Sequence, residues 1–300
     1  PPPQPPRVPR HELSMPALGS LASGAVHCGR PTAIATTTAA AGRAAPRAAP
    51  LPTPRQVDAP QRRLAYRRGP SVAARAAAAS ASPPTSQMLI HVPPHPLIKH
   101  WLAVTRNEAS PAPTVRAAMA ELGRLLIYEC MRDWLPVLEG ELLTPMGVSA
   151  DAEVADPGTP IKVVPILRSG LVLLEQASTV LPHNQTFHVG VARDADTLQP
   201  SIYLNKLPEA FTADDKILVA DGQLATGGSM LAVMEELVSR GASPSNIRIV
   251  AVLAAPPALK ALSEKYPGGK IYTAMIDAEV DDNGSIIPGI GNPGDRAFGI

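Results

Sequence analysis

Residues 216–230 read KILVADGQLATGGSM, and this stretch decides the fold. A short apolar run from Ile217 to Ala220 ends in an acid, Asp221. Thr-Gly-Gly-Ser follows, and then apolar residues at Met230, Val233, Met234, Leu237 and Val238 at helical spacing. Strand, glycine-rich turn and helix together build a phosphate cradle. Gly227 and Gly228 let the backbone turn tightly and bring consecutive N–H groups to one point. The helix N-terminus adds partial positive charge and unpaired donors. The hydroxyls of Thr226 and Ser229 each add a hydrogen bond, and Asp221 is placed to accept from ribose hydroxyls. The stretch reads as a site for a sugar phosphate. The plainer alternative is a strand-to-helix connection with Ser229 as an ordinary N-cap. No GxxxxGK[ST] occurs anywhere in the chain, which sets Walker-type nucleotide binding aside.

Working outward, residues 88–300 read as one folded domain. Thr114 can cap a helix with apolar positions at Val115, Ala118, Met119, Leu122, Leu125 and Leu126, continuing towards Trp134. A loop rich in Asp, Gly and Pro comes next, then a strand over 161–166 (IKVVPI) and a helical segment over 171–181. Residues 186–192 read as a strand and 193–206 as a β-arm that turns at Asp-Ala-Asp. After the phosphate helix, Gly241 is a C-cap, 247–254 a strand, 256–266 a helix and 271–276 a strand. Strands alternating with helices predict an α/β fold with a doubly wound parallel sheet. In such sheets ligands sit beyond the carboxyl ends of the strands, where both Arg168 and Asp221 fall.

The first 87 residues are a different material. They carry eleven Arg, no Lys and two acids, a net of +9, against sixteen basic and twenty-four acidic groups in the remainder, a net of −8. Rich in Ala, Pro, Arg and Ser and poor in large apolar residues, the segment is expected to be disordered. Arg-rich, Ser-containing and acid-poor describes an organelle transit peptide. The rival is a basic arm for nucleic acid, but the arginines are scattered among Pro and Ala with no aromatic beyond Tyr66, so nucleic acid is not expected as a partner. With Pro at position 1, the chain is expected to continue upstream. No run approaches 18 apolar residues, so no membrane span is expected. Cys28 and Cys130 support neither a disulfide framework nor a Cys-based metal site, and Cys130 reads as a buried small hydrophobe. His95 and His100, five apart, do not share a helix face, so no protein metal site is expected. Gly289-Ile-Gly-Asn-Pro-Gly294 matches GxGxxG but lies six residues from the C-terminus. It is expected to open no helix and to form a glycine-rich loop with exposed backbone, not a dinucleotide fingerprint.

Six motifs stand in order: HPLIKHW (95–101), VPILRSGL (164–171), VARD (191–194), YLNKLP (203–208), DGQLATGGS (221–229) and IIPGIGNPGDRAFG (286–299). Through them the chain resembles uracil phosphoribosyltransferases, most of all the plastid type of plants and algae, over essentially all of residues 88–300. The resemblance implies a type I phosphoribosyltransferase core with a C-terminal hood over the base. It implies the reaction of uracil with 5-phosphoribosyl 1-diphosphate (PRPP) to give UMP and pyrophosphate, with Mg²⁺ on the pyrophosphate, in a plastid stroma and as a homo-oligomer. By motif, Arg168 and Arg193 hold the pyrophosphate. Asp221, Gly222, Gln223, Leu224, Ala225, Thr226, Gly227, Gly228 and Ser229 hold ribose and 5′-phosphate. Ile286, Gly291, Asn292 and Pro293 surround the uracil, and Asn292 also faces the donor. Arg168, Arg193 and Asp221 are the residues expected to act in catalysis. Displacement at the anomeric carbon passes through an oxocarbenium-like state, which needs positioning and a stabilised leaving group, not a covalent nucleophile. Arg suits that task because its planar fork meets phosphate oxygens bidentately.

The departures from the family pattern cluster in the site. Gly222 and Gln223 replace a Pro and an apolar residue, Ser169 an Ala, Ser285 a Tyr, Asn292 an Asp and Ile300 a Thr, while Pro293 stands where the family has a backbone N–H. Gly222 is expected to loosen the loop entropically while still permitting the turn. Two activities stay open at this point: an active pyrimidine-salvage enzyme, and a catalytically weakened protein of the same fold kept as a binding or structural subunit.

Overall fold

The computed structural model describes residues 87–194, 197 and 199–300. The expectations for segment 1–87 lie, apart from Gln87, outside the described residues, as does part of the turn expected at 194–196.

Seven strands form the main sheet path: β1 (Leu89–His91), β4 (Ile161–Leu167), β6 (Val189–Arg193), β7 (Pro200–Asn205), β8 (Ile217–Leu224), β9 (Ile247–Ala254) and β10 (Lys270–Ile276). Their order is β1-β10-β9-β8-β4-β6-β7, and a short β5 (Asn184–Thr186) also pairs with β4. Every pairing is parallel except β6 with β7, which form the expected antiparallel arm. After β4 the chain moves outward to β6 and β7. It then returns on the other side of β4 as β8, so the strand order reverses between β4 and β8. A doubly wound sheet opens its ligand crevice at such a point.

Burial on both faces makes the central strands largely apolar, with Arg248 of β9 and Asp221 of β8 the buried charged exceptions. Along β8, Leu218 and Ala220 join the core on one face, and Ile217 and Val219 the core on the other. β9 divides in the same way, with Val250 and Val252 opposite Ile249 and Ala251. Alternate side chains of a strand point to opposite faces, so a sheet covered on both sides needs a near-continuous apolar run. The first face is covered by α1 (Pro96–Arg106) and α2 (Ala112–Met131), which bring Ile98, Leu102, Met119, Leu122 and Leu126. The second is covered by α4 (Gly228–Ser239) and α5 (Pro256–Lys265), with Met230, Val233, Leu237 and Leu262. Each such side chain, once fully buried, contributes about 1.5–3 kcal/mol. Cys130 lies in the first core, where burial pushes its thiol up to about 12, so it packs as a hydrophobe.

Several local expectations are corrected. The stretch taken as an Asp/Gly/Pro loop is an antiparallel hairpin, β2 (Val137–Leu143) and β3 (Ser149–Ala155), turning through Gly147 at φ +76°. Its faces are half-exposed, so it lacks the apolar alternation that marks a strand. α2 begins at Ala112 after Pro111, with no side-chain cap, and ends at Met131 rather than at Trp134. The segment after Arg168 is a short α3 (Ser169–Leu173) followed by a single 3₁₀ turn. Finally, the C-terminal glycine motif does open a helix, α6 (Pro293–Phe298), capped by Asn292. Distance from the terminus was the wrong criterion, because six residues suffice for a capped turn. Part of its backbone is also buried, at Gly289, Ile290 and Gly294.

Candidate active site

Three strands end at one crevice. Arg168 follows β4 and Arg193 closes β6, while Asp221 lies within β8 and leads to the glycine turn. A cavity of about 540 Å³ is lined by Arg168, Ser169, Arg193, Asp194, Tyr203, Asp221, Gln223 and Ser229, and on its far side by Asn283–Ser285 and Gly291–Gly294. Of the residues expected at the site, Arg168, Arg193, Asp221, Gln223, Ser229, Gly291, Asn292 and Pro293 therefore meet around one space. Leu224 and Ala225 do not offer side chains there, since both are core residues on opposite faces of the sheet. Ile286 is likewise core, in a two-residue strand paired with Val280, and its neighbours Asn283 to Ser285 line the cavity instead.

β8 is longer than its apolar run suggests. It continues to Leu224, so Asp221, Gly222 and Gln223 are strand residues, with Asp221 and Gln223 paired to Ala251 and Leu253 of β9, and the turn proper is Ala225-Thr226-Gly227. Gly227 caps α4 in the left-handed region at φ +86° with no side-chain cap bond. A Cβ there would also press on Ala258 Cα at 3.1 Å, so only glycine fits. Ser229 is therefore not the N-cap. It sits one residue inside α4, where its Oγ accepts from Arg193 Nε at 3.3 Å. The first N–H groups of the twelve-residue α4 have no partner within the helix, and they meet a guanidinium at that end.

Asp221 is buried at 7 % exposure. Its Oδ1 accepts from Ser169 Oγ at 2.7 Å and from the Gly222 N–H at 2.7 Å, and that N–H also reaches Ser169 Oγ at 3.1 Å. Burial pushes the carboxyl up to about 6, opposed by the Ser169 hydroxyl, the Gly222 N–H, the Arg193 charge and the Gln223 N–H. In sequence Ser169 stands only as a departure from the family's Ala, and its hold on Asp221 is visible only in three dimensions. Arg168 is half-exposed and paired with Asp295 in the first turn of α6. The Leu167–Arg168 peptide is cis.

The hood is fastened by groups that sequence reasoning did not single out. Arg106, the last residue of α1, forms a bidentate pair with Asp277 at 2.7 and 2.9 Å and donates to Gly289 O at 3.0 Å. Asp277 in turn accepts from the Gly289 N–H at 3.0 Å. Arg296 donates to Thr105 O, Ile290 O and Asn107 O. Two arginines thus tie the end of α1 to the turn containing cis-Pro288 and to α6. A signal for Asp277 did exist: like Asp221, it is an acid directly after an apolar strand. Asn292 Oδ1 accepts from the N–H groups of Gly294 and Asp295, the role an Asp would fill, and Pro293 takes N1, where a missing N–H costs no helix bond.

Residues 92–300 match the family model described as uracil phosphoribosyltransferase. A uracil phosphoribosyltransferase of Nicotiana tabacum is 52 % identical over 214 residues, covering 71 % of this chain and 95 % of its own. A chloroplastic uracil phosphoribosyltransferase of Arabidopsis thaliana is 54 % identical over 215 residues, 72 % of each chain. Among solved structures, the AQ2163 protein of Aquifex aeolicus superposes with a TM-score of 0.64 at 34 % identity, covering 71 % of this chain and 99 % of the other.

Proposed function

We propose that this chain, which belongs to the uracil phosphoribosyltransferase family, transfers the phosphoribosyl group of PRPP to uracil, giving UMP and pyrophosphate. The observation that carries this reading is the meeting of Arg168, Arg193, Asp221 and the α4 N-terminus around one cavity roofed by Gly291–Pro293. The α4 N-terminus with Ser229 takes the 5′-phosphate and Asp221 accepts from ribose hydroxyls. The guanidiniums take the diphosphate, for which Arg168 releases Asp295. The base lies under the hood, against backbone held in place by Arg106, Asp277 and Arg296. In the displacement the C1′–O bond breaks with its electron pair going to the diphosphate. The C1′–N1 bond forms, and the N1 proton is released. Fixed arginines and helix N–H groups stabilise the charge that develops on the leaving group without reorganising during the step.

Mg²⁺ supplies charge neutralisation on the diphosphate and is proposed to arrive with it. Such an ion keeps much of its water and takes few protein ligands. The site fits that mode in offering the carboxylate of Asp194 on the cavity wall. A steady-state assay with uracil and PRPP, with and without Mg²⁺ and against cytosine and the purines, tests the whole reading. Turnover of uracil alone supports it, and donor binding without turnover of any base overturns it.

Segment 1–87 is proposed to direct the chain to a plastid, supported by its composition and by the chloroplastic relative. Mass spectrometry of the mature protein is expected to find an N-terminus between residues 65 and 88. A homo-oligomer is proposed because the β2–β3 hairpin presents Leu143, Met146 and Val148 at 73, 87 and 63 % exposure, a patch suited to a second copy. Light scattering on a size-exclusion column tests it.

A further inference from the structure

The antiparallel arm carries an irregularity beside the cavity. Between the pairs Gly190–Leu204 and Val191–Ile202, β7 has one residue more than β6, and the extra residue is Tyr203. A bulge of this kind breaks the ladder at one point and re-aims the side chain it carries. The Tyr203 ring is aimed across β6. A Cβ added at Gly190 would stand 2.4 Å from Cζ of that ring, 2.6 Å from Cε2 and 2.8 Å from the hydroxyl oxygen, so the ring lies on backbone that only glycine leaves open. On its other edge Gly190 pairs with Leu167, the residue before Arg168. The phenol therefore reaches from the outermost strand over β6, towards the side of the cavity where Arg168 stands. Tyr203 lines that cavity and is 61 % exposed. Covering Gly190 needs only the ring, and the hydroxyl at its tip adds a hydrogen-bond donor to the cavity wall.

We infer that Tyr203 is a further binding residue, whose hydroxyl donates a hydrogen bond to the diphosphate of PRPP on the Arg168 side of the site. This rests on the reading of Arg168 as a diphosphate ligand. The chemistry suits the place. Arg168 supplies charge, and a neutral hydroxyl adds a directed donor to an ionised acceptor without setting a second like charge beside the guanidinium. The bulge and Gly190 together explain how a residue of β7, two strands from β4, takes part. The bulge turns the ring inward, and any side chain at position 190 would stand in its path. A ring that only shielded the Gly190 backbone would serve as well without its oxygen, which is the difference the test isolates.

The test measures calorimetric binding of PRPP, inorganic pyrophosphate and UMP, each with Mg²⁺, to the full chain and to its Tyr203→Phe variant. The variant keeps the ring over Gly190 and lacks only the oxygen. It is expected to bind PRPP and pyrophosphate about tenfold more weakly, with UMP affinity unchanged. Gly190→Ala reaches the same point from the other side, because its methyl group turns the ring away. It is expected to show the same selective loss, and adding Tyr203→Phe to it is expected to cost nothing more. Unchanged pyrophosphate affinity in Tyr203→Phe overturns the inference. So does a loss of UMP affinity alone, which would place the phenol at the nucleotide. An equal loss for all three ligands also overturns it, since the ring would then be a structural cover. Arg168→Gln separates the two layers. If that variant binds pyrophosphate normally, the reading of the crevice as a diphosphate site fails. If it binds poorly while Tyr203→Phe binds normally, only the role of Tyr203 fails.

Discussion

Ser169→Ala removes one oxygen and is expected to move the acid limb of the pH profile. In wild type the Ser169 hydroxyl donates to Asp221 Oδ1 at 2.7 Å, and the buried carboxyl titrates at about 6. A hydrogen bond to a charged group contributes about 1.5–3 kcal/mol, and one pH unit corresponds to about 1.4 kcal/mol. Losing the hydroxyl destabilises only the ionised form, so the titration of Asp221 should rise by about one unit or more. The other groups facing that carboxylate stay in place: the Gly222 and Gln223 N–H groups of β8 and the Arg193 guanidinium of β6, with uncharged Ala251 on β9. Ribose binding needs the acceptor ionised, so kcat/KM for PRPP gains as pH rises through about 6 in wild type and about a unit higher in the variant. Stability runs the other way. A carboxyl raised above its unfolded value favours folding fully below about 4, and that contribution is lost as pH rises through about 6. The assay is kcat/KM for PRPP from pH 5 to 9 at saturating uracil. The donor's own phosphate titration is common to both proteins and cancels in the comparison. A uniform drop with an unmoved limb would refute the argument, since it would make the hydroxyl mere packing.

Three further outcomes are expected. Gly222→Ala places a Cβ 2.6 Å from Ser169 Cβ and 2.7 Å from Pro293 Cγ; an overpacking cost of about 1–3 kcal/mol should lower Tm by about 3–9 °C, and adding Pro293→Ala should recover part of it. Arg106→Met leaves Asp277, 6 % exposed in its side chain, without its ion-pair partner and held only by the Gly289 N–H; unfolding should be easier by about 3 kcal/mol, with the uracil KM rising more than the PRPP KM. Asn292→Asp with Pro293→Ala keeps the α6 cap, returns a charge and adds an N–H at N1; kcat/KM for uracil should rise about five- to a hundredfold, more so with Mg²⁺ present, and no gain would show that the base is read through other groups.

The fold was legible where one strand carries its whole environment in its own sequence. β8 and β9 are buried on both faces, so they read as near-continuous apolar runs, broken only by Arg248 in β9 and by the acid that ends the run in β8, and the glycine turn after β8 announces a helix. The β2–β3 hairpin was missed because half-exposed faces leave no alternation to see, and α6 because a helix of one and a half turns leaves too little period to detect. At the site, the motifs were visible because each is local to one strand end. Arg106, Asp277 and Arg296 were missed because they act across 171 to 191 residues of chain, and no local pattern records such a pairing.

The departures from the family pattern show the same limit from the other side. Taken one at a time along the chain, Ser169 looks mild, Gly222 looks like a loosened turn and Pro293 looks like a lost donor. In the fold they touch. The space beside Gly222 is filled by Ser169 Cβ and by the Pro293 ring, so glycine there is a packing requirement. Gly222 also lies within strand β8 rather than in a loop, so its backbone is held in the native state. The N–H that a proline would lack is the one that holds Asp221 Oδ1 and Ser169 Oγ together. A carboxylate that a rigid ring would position by restricting the backbone is here positioned by two hydrogen bonds. Substitutions scored separately as losses therefore act as one arrangement. Their effects should be strongly non-additive, since the residues share both a contact and a hydrogen-bond network. The double change Gly222→Ala with Pro293→Ala discriminates most sharply: additive costs would separate the three residues again, whereas a combined cost below that of Gly222→Ala alone would establish them as a unit.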